Sequence, residues 1–344
     1  MKILLLDSSK NFYKANLHCH STYSDGCLTP EEIKNAYKEQ GYSILAITDH
    51  DALFDHGNLD DEDFLTLPGY EREIDTPMTE DTNWHDVTTC HMCFYPIDRN
   101  NVGQTCFDPD FYHFKFRWMK DDELKAKINP IGEYYTPNYS VESINHLISE
   151  ANKHGFLVTL NHPQWSLETY EQISRYEGLF AMEIFNTSAE KEGPNEYNSQ
   201  LYDLLLRSGK RLKCVAADDN HNYHGTLPPY GDSFGGRVMI NAETLTHEAI
   251  VTALKKGDFY STTGPRIDTL CVENEWVHIE CSSAKKIRFI TNNRYSKLFV
   301  SSDEPLCSAD FKLEETTIWF RVEITDFSGE KAYTNAYFKE DIIG

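Results

Sequence analysis

Asn16-Leu17-His18-Cys19-His20-Ser21-Thr22-Tyr23-Ser24-Asp25-Gly26 is the stretch on which the fold turns. A His-x-His pair on an extended segment sends both imidazoles to one face, because side chains alternate with period two. Two imidazoles converging at a strand end make half of a first-row metal site. Ligand-type side chains recur downstream at His50, Glu71, His91, His162, Asp219 and His221. With His18, His20 and Asp25 they form a set of nine, spread over the first two-thirds of the chain.

Working outward, the first 265 or so residues alternate short apolar runs with helical patterns. Runs at Ala15 to His18, Ser43 to Ile47, Phe64 to Leu67, Val87 to Tyr95, Phe156 to Leu160, Leu179 to Phe185 and Leu212 to Ala217 read as strands. Thr29-Pro30-Glu31-Glu32 is a capping box with proline at the first helical position. Helices are expected over Ser140 to His154, Tyr197 to Ser208 and Thr246 to Lys256, each followed by a glycine stop. Such β/α alternation predicts a parallel sheet, open or closed. His18, His50, Glu71, His91, His162 and Asp219 each fall at or just after a strand's C-terminal end. Six such ends spread along a line in an open sheet but ring one mouth in a barrel. A barrel is therefore expected over residues 1–265.

Residues of about 96–139 fit this alternation poorly and read as an insertion over the mouth. Trp84, Tyr112, Trp118, Tyr134 and Tyr135 there and nearby are read as packing before recognition. After Gly264-Pro265 the texture changes. Ile318, Phe320, Val322 and Ile324 alternate with Trp319, Arg321 and Glu323, a half-buried strand pattern. Lys286 to Thr291 and Ala332 to Phe338 look alike. Residues 266–344 are expected to form a small antiparallel β-sandwich domain.

The charge balance of 32 basic against 55 acidic residues, a formal −23, disfavours nucleic-acid polymers and anionic membranes as partners. A small phosphate-bearing substrate remains compatible, because bound metals set the local field. The apolar run near Met1 is too short for a signal peptide, and no run approaches a membrane span. Nine cysteines without a regular framework suggest reduced thiols and a cytoplasmic location. Cys90-His91-Met92-Cys93 lacks the second CxxC a zinc knuckle needs. Cys19 faces away from its flanking histidines and reads as core.

Leu17 to Gly26, Ile47-Thr48-Asp49-His50-Asp51, Pro68-Gly69-Tyr70-Glu71, Asn161-His162-Pro163 and Asp218-Asp219-Asn220-His221 together resemble the PHP (polymerase and histidinol phosphatase) metallo-hydrolases. The resemblance covers roughly residues 14 to 225. Phe259-Tyr260-Ser261-Thr262-Thr263-Gly264-Pro265, followed by a β-domain, resembles the family's two-domain branch, which includes carbaryl-hydrolase-like enzymes. The resemblance implies a distorted (β/α)7 barrel holding two to three divalent ions. It implies a first site of His18, His20, Glu71 and Asp219. A second would use Glu71, His91 and His162, with Glu71 bridging, and a third Asp25, His50 and His221. Glu73, His85 and Asp218 are neighbouring alternatives to Glu71, His91 and Asp219.

Mixed imidazole and carboxylate ligation suits zinc, manganese or iron rather than calcium. Two ions bridged by a carboxylate activate a shared water as hydroxide near neutral pH. The expectation is a metal-dependent phosphoesterase of a small phosphate monoester or cyclic phosphate, with Asp25, Glu71 and His221 in the chemistry. A carboxylic- or carbamate-ester hydrolase and a non-catalytic metal- or carbohydrate-binding protein are the competing classes. Asp49, Asp51 and Asn161 are equally candidates for orienting ligands or forming turns. Arg99, Lys115, Arg117 and Arg237 are phosphate-capture candidates by charge alone, and solvated surface charge is the plainer reading of each. Oligomeric state is open.

Overall fold

Short strands, several buried on both faces, carry the first half of the chain. The computed structural model describes residues 2–107, 123, 126–193 and 195–343. In chain order the strands begin with β1 (Lys2–Leu6), β2 (Asn11–Asn16), β3 (Ile44–Ile47), β4 (Leu65–Pro68), β5 (Tyr70–Asp75) and β6 (Thr89–Pro96). A two-residue pair follows, β7 (Gln104–Thr105) with β8 (Pro130–Ile131), then β9 (Phe156–Leu160), β10 (Ala181–Asn186) and β11 (Lys213–Ala217). β12 (Arg237–Ala242), β13 (Phe259–Thr262), β14 (Ile267–Glu273), β15 (Trp276–Ala284) and β16 (Lys286–Thr291) come next. The chain ends through β17 (Lys297–Val300), β18 (Leu306–Lys312), β19 (Trp319–Thr325), β20 (Lys331–Thr334) and β21 (Tyr337–Phe338).

The helices form where caps and apolar faces coincide. Helix Pro30–Glu39 starts on the Thr29/Glu32 capping box and buries Ile33 and Tyr37. Helix Val141–Lys153 is capped by Ser140 and buries Ile144, Leu147, Ile148 and Ala151. Helix His247–Lys256 ends at Gly257, whose φ of 84° is the left-handed cap glycine favours. No helix among the described residues is long and apolar enough to cross a membrane.

The class is mixed α/β, and strand pairing traces no closed barrel among the described residues. One sheet has the order β11-β10-β9-β6-β5. The other runs β17-β16-β19-β20-β13-β12-β2-β3-β4, with β21 added beside β19. Parallel pairing holds within β2-β3-β4 and β9-β10-β11. It fails at β6, which is antiparallel to both neighbours, β5 and β9. The ladder breaks between β4 and β5, where Gly69 passes the chain from one sheet to the other. A side chain there would meet the Phe94 carbonyl, Thr48 and Tyr95 at 3.1 Å each.

The two sheets still face each other. Leu17, Ile44 and Leu67 from one belong to the same apolar cluster as Cys93, Leu157 and Val215 from the other. Their C-terminal ends are stitched by loop backbone. Asp219 N–H donates to His18 O at 2.9 Å and His20 N–H to Asn220 O at 3.1 Å, while Thr48 N–H to Cys19 O at 2.8 Å ties the loops after β2 and β3 within one sheet. This lashed rim carries the site.

Pairing runs across residue 265 without a break. β13 pairs with β20, and β1 joins β14, β15 and β18 in a four-stranded sheet. That sheet and β16, β19 and β20 share a cluster that includes Leu6, Ile279, Phe289, Phe320 and Val322. The half-buried pattern expected for 318–324 is not what forms. Arg321 is fully buried, its Nε 2.7 Å from Asp203 Oδ1. Helix Ser199–Arg207 covers the second face of β19, whereas Ile318 is exposed.

Candidate metal centre

His18 and His20 lie just past β2, on extended chain held between the loops that follow β3 and β11. Cys19 between them points the other way and packs with Ile33, Tyr37 and Leu45. The two imidazoles face one another, Nε2 to Nε2, at 3.2 Å. The turn that returns Asp25 to them needs glycine at position 26. Its N–H donates to Ser21 O at 2.9 Å, and a Cβ there would sit 2.4 Å from His20 O.

All nine sequence-derived residues meet at this rim. His18 Nε2 is 3.1 Å from Asp219 Oδ1 and 3.2 Å from Glu71 Oε1. His20 Nε2 is 3.0 Å from the same Asp219 oxygen and 3.3 Å from Glu71 Oε2. A second group forms round Glu71 Oε1, with His91 Nδ1 at 3.2 Å and His162 Nε2 at 3.4 Å. The third uses Asp25 Oδ2, 3.4 Å from His221 Nε2 and 3.6 Å from His50 Nε2. His20 Nδ1 lies 3.4 Å from Asp25 Oδ1 and so joins this group as well. Glu71 touches all three, its Oε2 being 3.3 Å from His50 Nδ1.

The donor set fits divalent ions. Metal–ligand bonds of about 2.0–2.2 Å place neighbouring donors roughly 3.0–3.5 Å apart. Most donor–donor distances here fall in that range. Within each of the three groups the donor atoms all lie within 4.8 Å of one another. Zinc, manganese and iron all accept such nitrogen and oxygen donors.

The ionisation of the cluster follows from the crowding. Burial alone would raise the Glu71 carboxyl, but the His18 and His91 rings and hydrogen bonds from His162 and His18 hold it well below the usual range. Burial opposes charge on His162 and His221, yet Glu71 lifts the first and Asp25 the second, each to about 9. Protons and cations therefore compete for the same nitrogens.

Outer groups aim these side chains. His18 Nδ1 is 2.9 Å from Glu183 Oε1, and a carboxylate only accepts, so Nδ1 carries the proton and Nε2 faces the cluster. His221 Nδ1 donates to Asp219 O at 2.9 Å, which likewise turns Nε2 inward. Asn161 Nδ2 donates to Glu71 Oε1 at 2.7 Å and is an orienting residue. Asp49 accepts from Ser21 N at 2.8 Å and Ser24 Oγ at 2.7 Å, and so shapes the turn that bears Asp25. Asp51 lies 3.2 Å from Arg72. His162 and Asp219 adopt φ of 22° and 55°, a left-handed backbone that costs non-glycine residues about 1–3 kcal/mol.

Sequence alternatives resolve by position. Asp218 points away, accepting from the Tyr37 hydroxyl, the Thr187 hydroxyl and the amides of Phe234, Gly235 and Gly236. Glu73 lies one pleat outward from Glu71, and His85 stands on the cavity wall. His91 arrives differently from expectation. It is near the start of β6, and only the antiparallel run of that strand brings it to the rim. Glu183 and Asn186 went unnoticed. Their signal is a glutamate and an asparagine inside the wholly buried strand Ala181–Asn186.

A cavity of about 720 Å³ opens beside the cluster, walled by Trp84, Trp165 and Tyr223 and edged by Glu73, Asp75 and Glu192. No lysine or arginine lines it among the described residues. Arg99 pairs with Asp55 at 2.7 Å, and Arg237 is bound to the carbonyls of Gly235, Thr263 and Gly264, so neither captures phosphate here. Lys115, Arg117, Tyr112 and Trp118 lie outside the described residues. Trp84, exposed at 58%, is a cavity wall rather than packing. The cysteines are all free, and Cys90 and Cys93 are both buried strand residues on β6.

Facing sheets with a rim of histidines and carboxylates define a metal-centre protein. The PHP domain model matches residues 16–92, the segment that carries His18, His20, Asp25, His50, Glu71 and His91. A 5'-3' exoribonuclease of Haemophilus influenzae is 37% identical over 71 residues, covering 21% of this chain and 24% of that protein. The 5'-3' exoribonuclease Rnm of Escherichia coli is 56% identical over 36 residues, 10% of this chain and 12% of that one. The matches therefore span a quarter or less of those relatives' length. A two-domain protein of Bacteroides vulgatus containing a predicted PHP-like metal-dependent phosphoesterase aligns over 96% of both chains at 15% identity, with a TM-score of 0.45.

Proposed function

We propose that the protein is a metal-dependent hydrolase and, within that class, a phosphoesterase of a small phosphate monoester or cyclic phosphate. The observation that carries this is the convergence of nine ligand-type side chains, Glu71 at their centre, with a cavity beside them. Two to three ions of zinc, manganese or iron would be held by His18, His20, Glu71 and Asp219, by Glu71, His91 and His162, and by Asp25, His50 and His221. Such ions supply Lewis acidity toward phosphoryl oxygens and make water acidic enough to attack near neutral pH.

The chain's own groups do the rest. Glu71 fixes the spacing of the three groups. Asp25 and His221 lie on the cavity side; with no ion in the third group, a proton shared by His221 Nε2 and Asp25 Oδ2 would be placed for a departing alkoxide, and with an ion held there the ion would stabilise that alkoxide instead. Trp165 and Tyr223 give the cavity aromatic walls. The relatives that act on RNA favour phosphate-ester chemistry. The net charge of −23 favours a small substrate over a polymer and disfavours a membrane surface. A cavity without lysine or arginine among its described residues keeps a second reading open, a neutral carboxylic or carbamate ester.

The test is turnover by protein stripped with chelator and reloaded with manganese. The panel spans phosphate monoesters, cyclic phosphates, aryl esters and carbamates. Phosphate release lost in His18→Ala and Asp219→Ala is expected. Ester or carbamate turnover without phosphate turnover would move the assignment to the second reading. An inert loaded protein would sink the enzyme reading.

A further inference from the structure

Glu183 stands behind the cluster, on β10, and no role in ligation falls to it. Its side chain is buried, with 1% exposure, and both of its oxygens are engaged. Oε1 lies 2.9 Å from His18 Nδ1. Oε2 accepts from the His162 amide at 2.8 Å and from Asn186 Nδ2 at 2.8 Å. Asn186 Nδ2 also reaches Asp219 Oδ2 at 3.3 Å. One carboxylate thus touches the first group through His18, the second through the backbone of His162, and the first again through Asn186 and Asp219.

We infer that Glu183 is a positioning residue shared by the first two metal groups and that it makes their assembly interdependent. This rests on the metal reading proposed above. The chemistry is that of acceptors only. His18 can present a lone pair at Nε2 when its proton is kept at Nδ1, and the Glu183 oxygen keeps it there. His162 holds a backbone φ of 22°, and the bond from its amide to Glu183 helps to offset that strain. Glutamine is no substitute. Its carbonyl can serve one side, but its amide then points N–H groups at a donor on the other. The third group, Asp25, His50 and His221, has no bond to Glu183 and is independent of it.

The experiment uses the full chain, stripped and titrated with zinc against a chromophoric chelator. Anomalous diffraction from loaded crystals assigns occupancy to each group. Wild type is compared with Glu183→Ala and Glu183→Gln, and the apo thermal midpoint of each reports folding. The expected result is a loss of affinity of about 10–100-fold in the groups of His18 and His162 together, with the third group retained. Affinity within threefold of wild type at both groups overturns the inference. So does an equal fall in all three groups, which marks a general loss of structure. If both variants fail to fold, loaded wild-type crystals still decide. Zinc on His18 Nε2 with Nδ1 against Glu183 supports the inference, and zinc on Nδ1 overturns it. Wild type that takes up no zinc at any group defeats the metal reading itself, a separate outcome.

Discussion

His18 and Phe320 are equally withdrawn from solvent, each at 0% exposure, but for opposite reasons. Phe320 sits among Leu6, Ile279, Phe289 and Val322, between β1-β14-β15-β18 and the sheet that carries β19. Each such side chain stabilises the fold by about 1.5–3 kcal/mol through burial alone and needs no partner. His18 sits among Glu71, Asp219, His20 and Glu183, where burial costs free energy unless every charge is matched. One interior is therefore indifferent to pH and ions, whereas the other follows both.

The largest expected effect strikes only the ionic interior. Glu71→Ala removes oxygens from the first two groups and a contact to His50 beside the third, so zinc content falls to that of the third group or below and turnover drops on the order of a thousand-fold. Plasma-emission metal analysis beside steady-state rates checks this. Stoichiometric metal in the variant would break the contrast. Phe320→Ala strikes the other interior and should cost about 3–5 kcal/mol in urea unfolding. The folded variant should keep its zinc stoichiometry. A parallel loss of metal would show that the two interiors are not separate.

Proton competition sharpens the contrast at intermediate size. His162 and His221 are lifted to about 9, so below that pH a cation must displace their protons. Zinc affinity should rise from pH 6 to pH 9 by roughly tenfold per unit for each proton displaced. Isothermal titration in buffers of different ionisation enthalpy counts those protons, and a flat profile would contradict the picture. The smallest effect belongs to Glu168. Burial raises its carboxyl from 4.5 to about 7, with hydrogen bonds from Tyr176 and Cys90 opposing. The folded chain then binds this proton more tightly than the unfolded one. The associated stability is present below about pH 4.5 and is lost as pH rises through about 7. Glu168→Gln should flatten the apo stability profile across that window by on the order of 1 kcal/mol. An unchanged slope would remove Glu168 from the account.

The candidate cluster was legible because ligand-type chemistry is local. Histidine and carboxylate at strand ends carry their meaning in type and spacing, and the structure brings all nine together. Sheet topology was less legible. Nothing local in Val87 to Tyr95 states which way that strand runs against its neighbours, since an apolar run serves either direction. His91 thus joins the cluster beside Glu71, while its strand-end rationale failed. Arg321 was placed on a solvated face because alternation is blind to a helix packing from outside. β1 escaped notice because its partner, β14, lies far along the chain. Glu183 was hidden by the reverse effect. It sits in an apolar run read as core, where a lone carboxylate was the only sign that the strand served the site.

The hairpin of β5 and β6 has one further consequence. Glu71 and His91 stand near its base, whereas Asp75, Trp84, His85, Val87 and Thr89 continue outward as the cavity wall. Candidate ligands and cavity wall consequently share one ribbon in separable registers. Residues 76–88 are therefore the segment in which substitutions should re-shape the cavity wall while leaving the row of candidate ligands beneath in place.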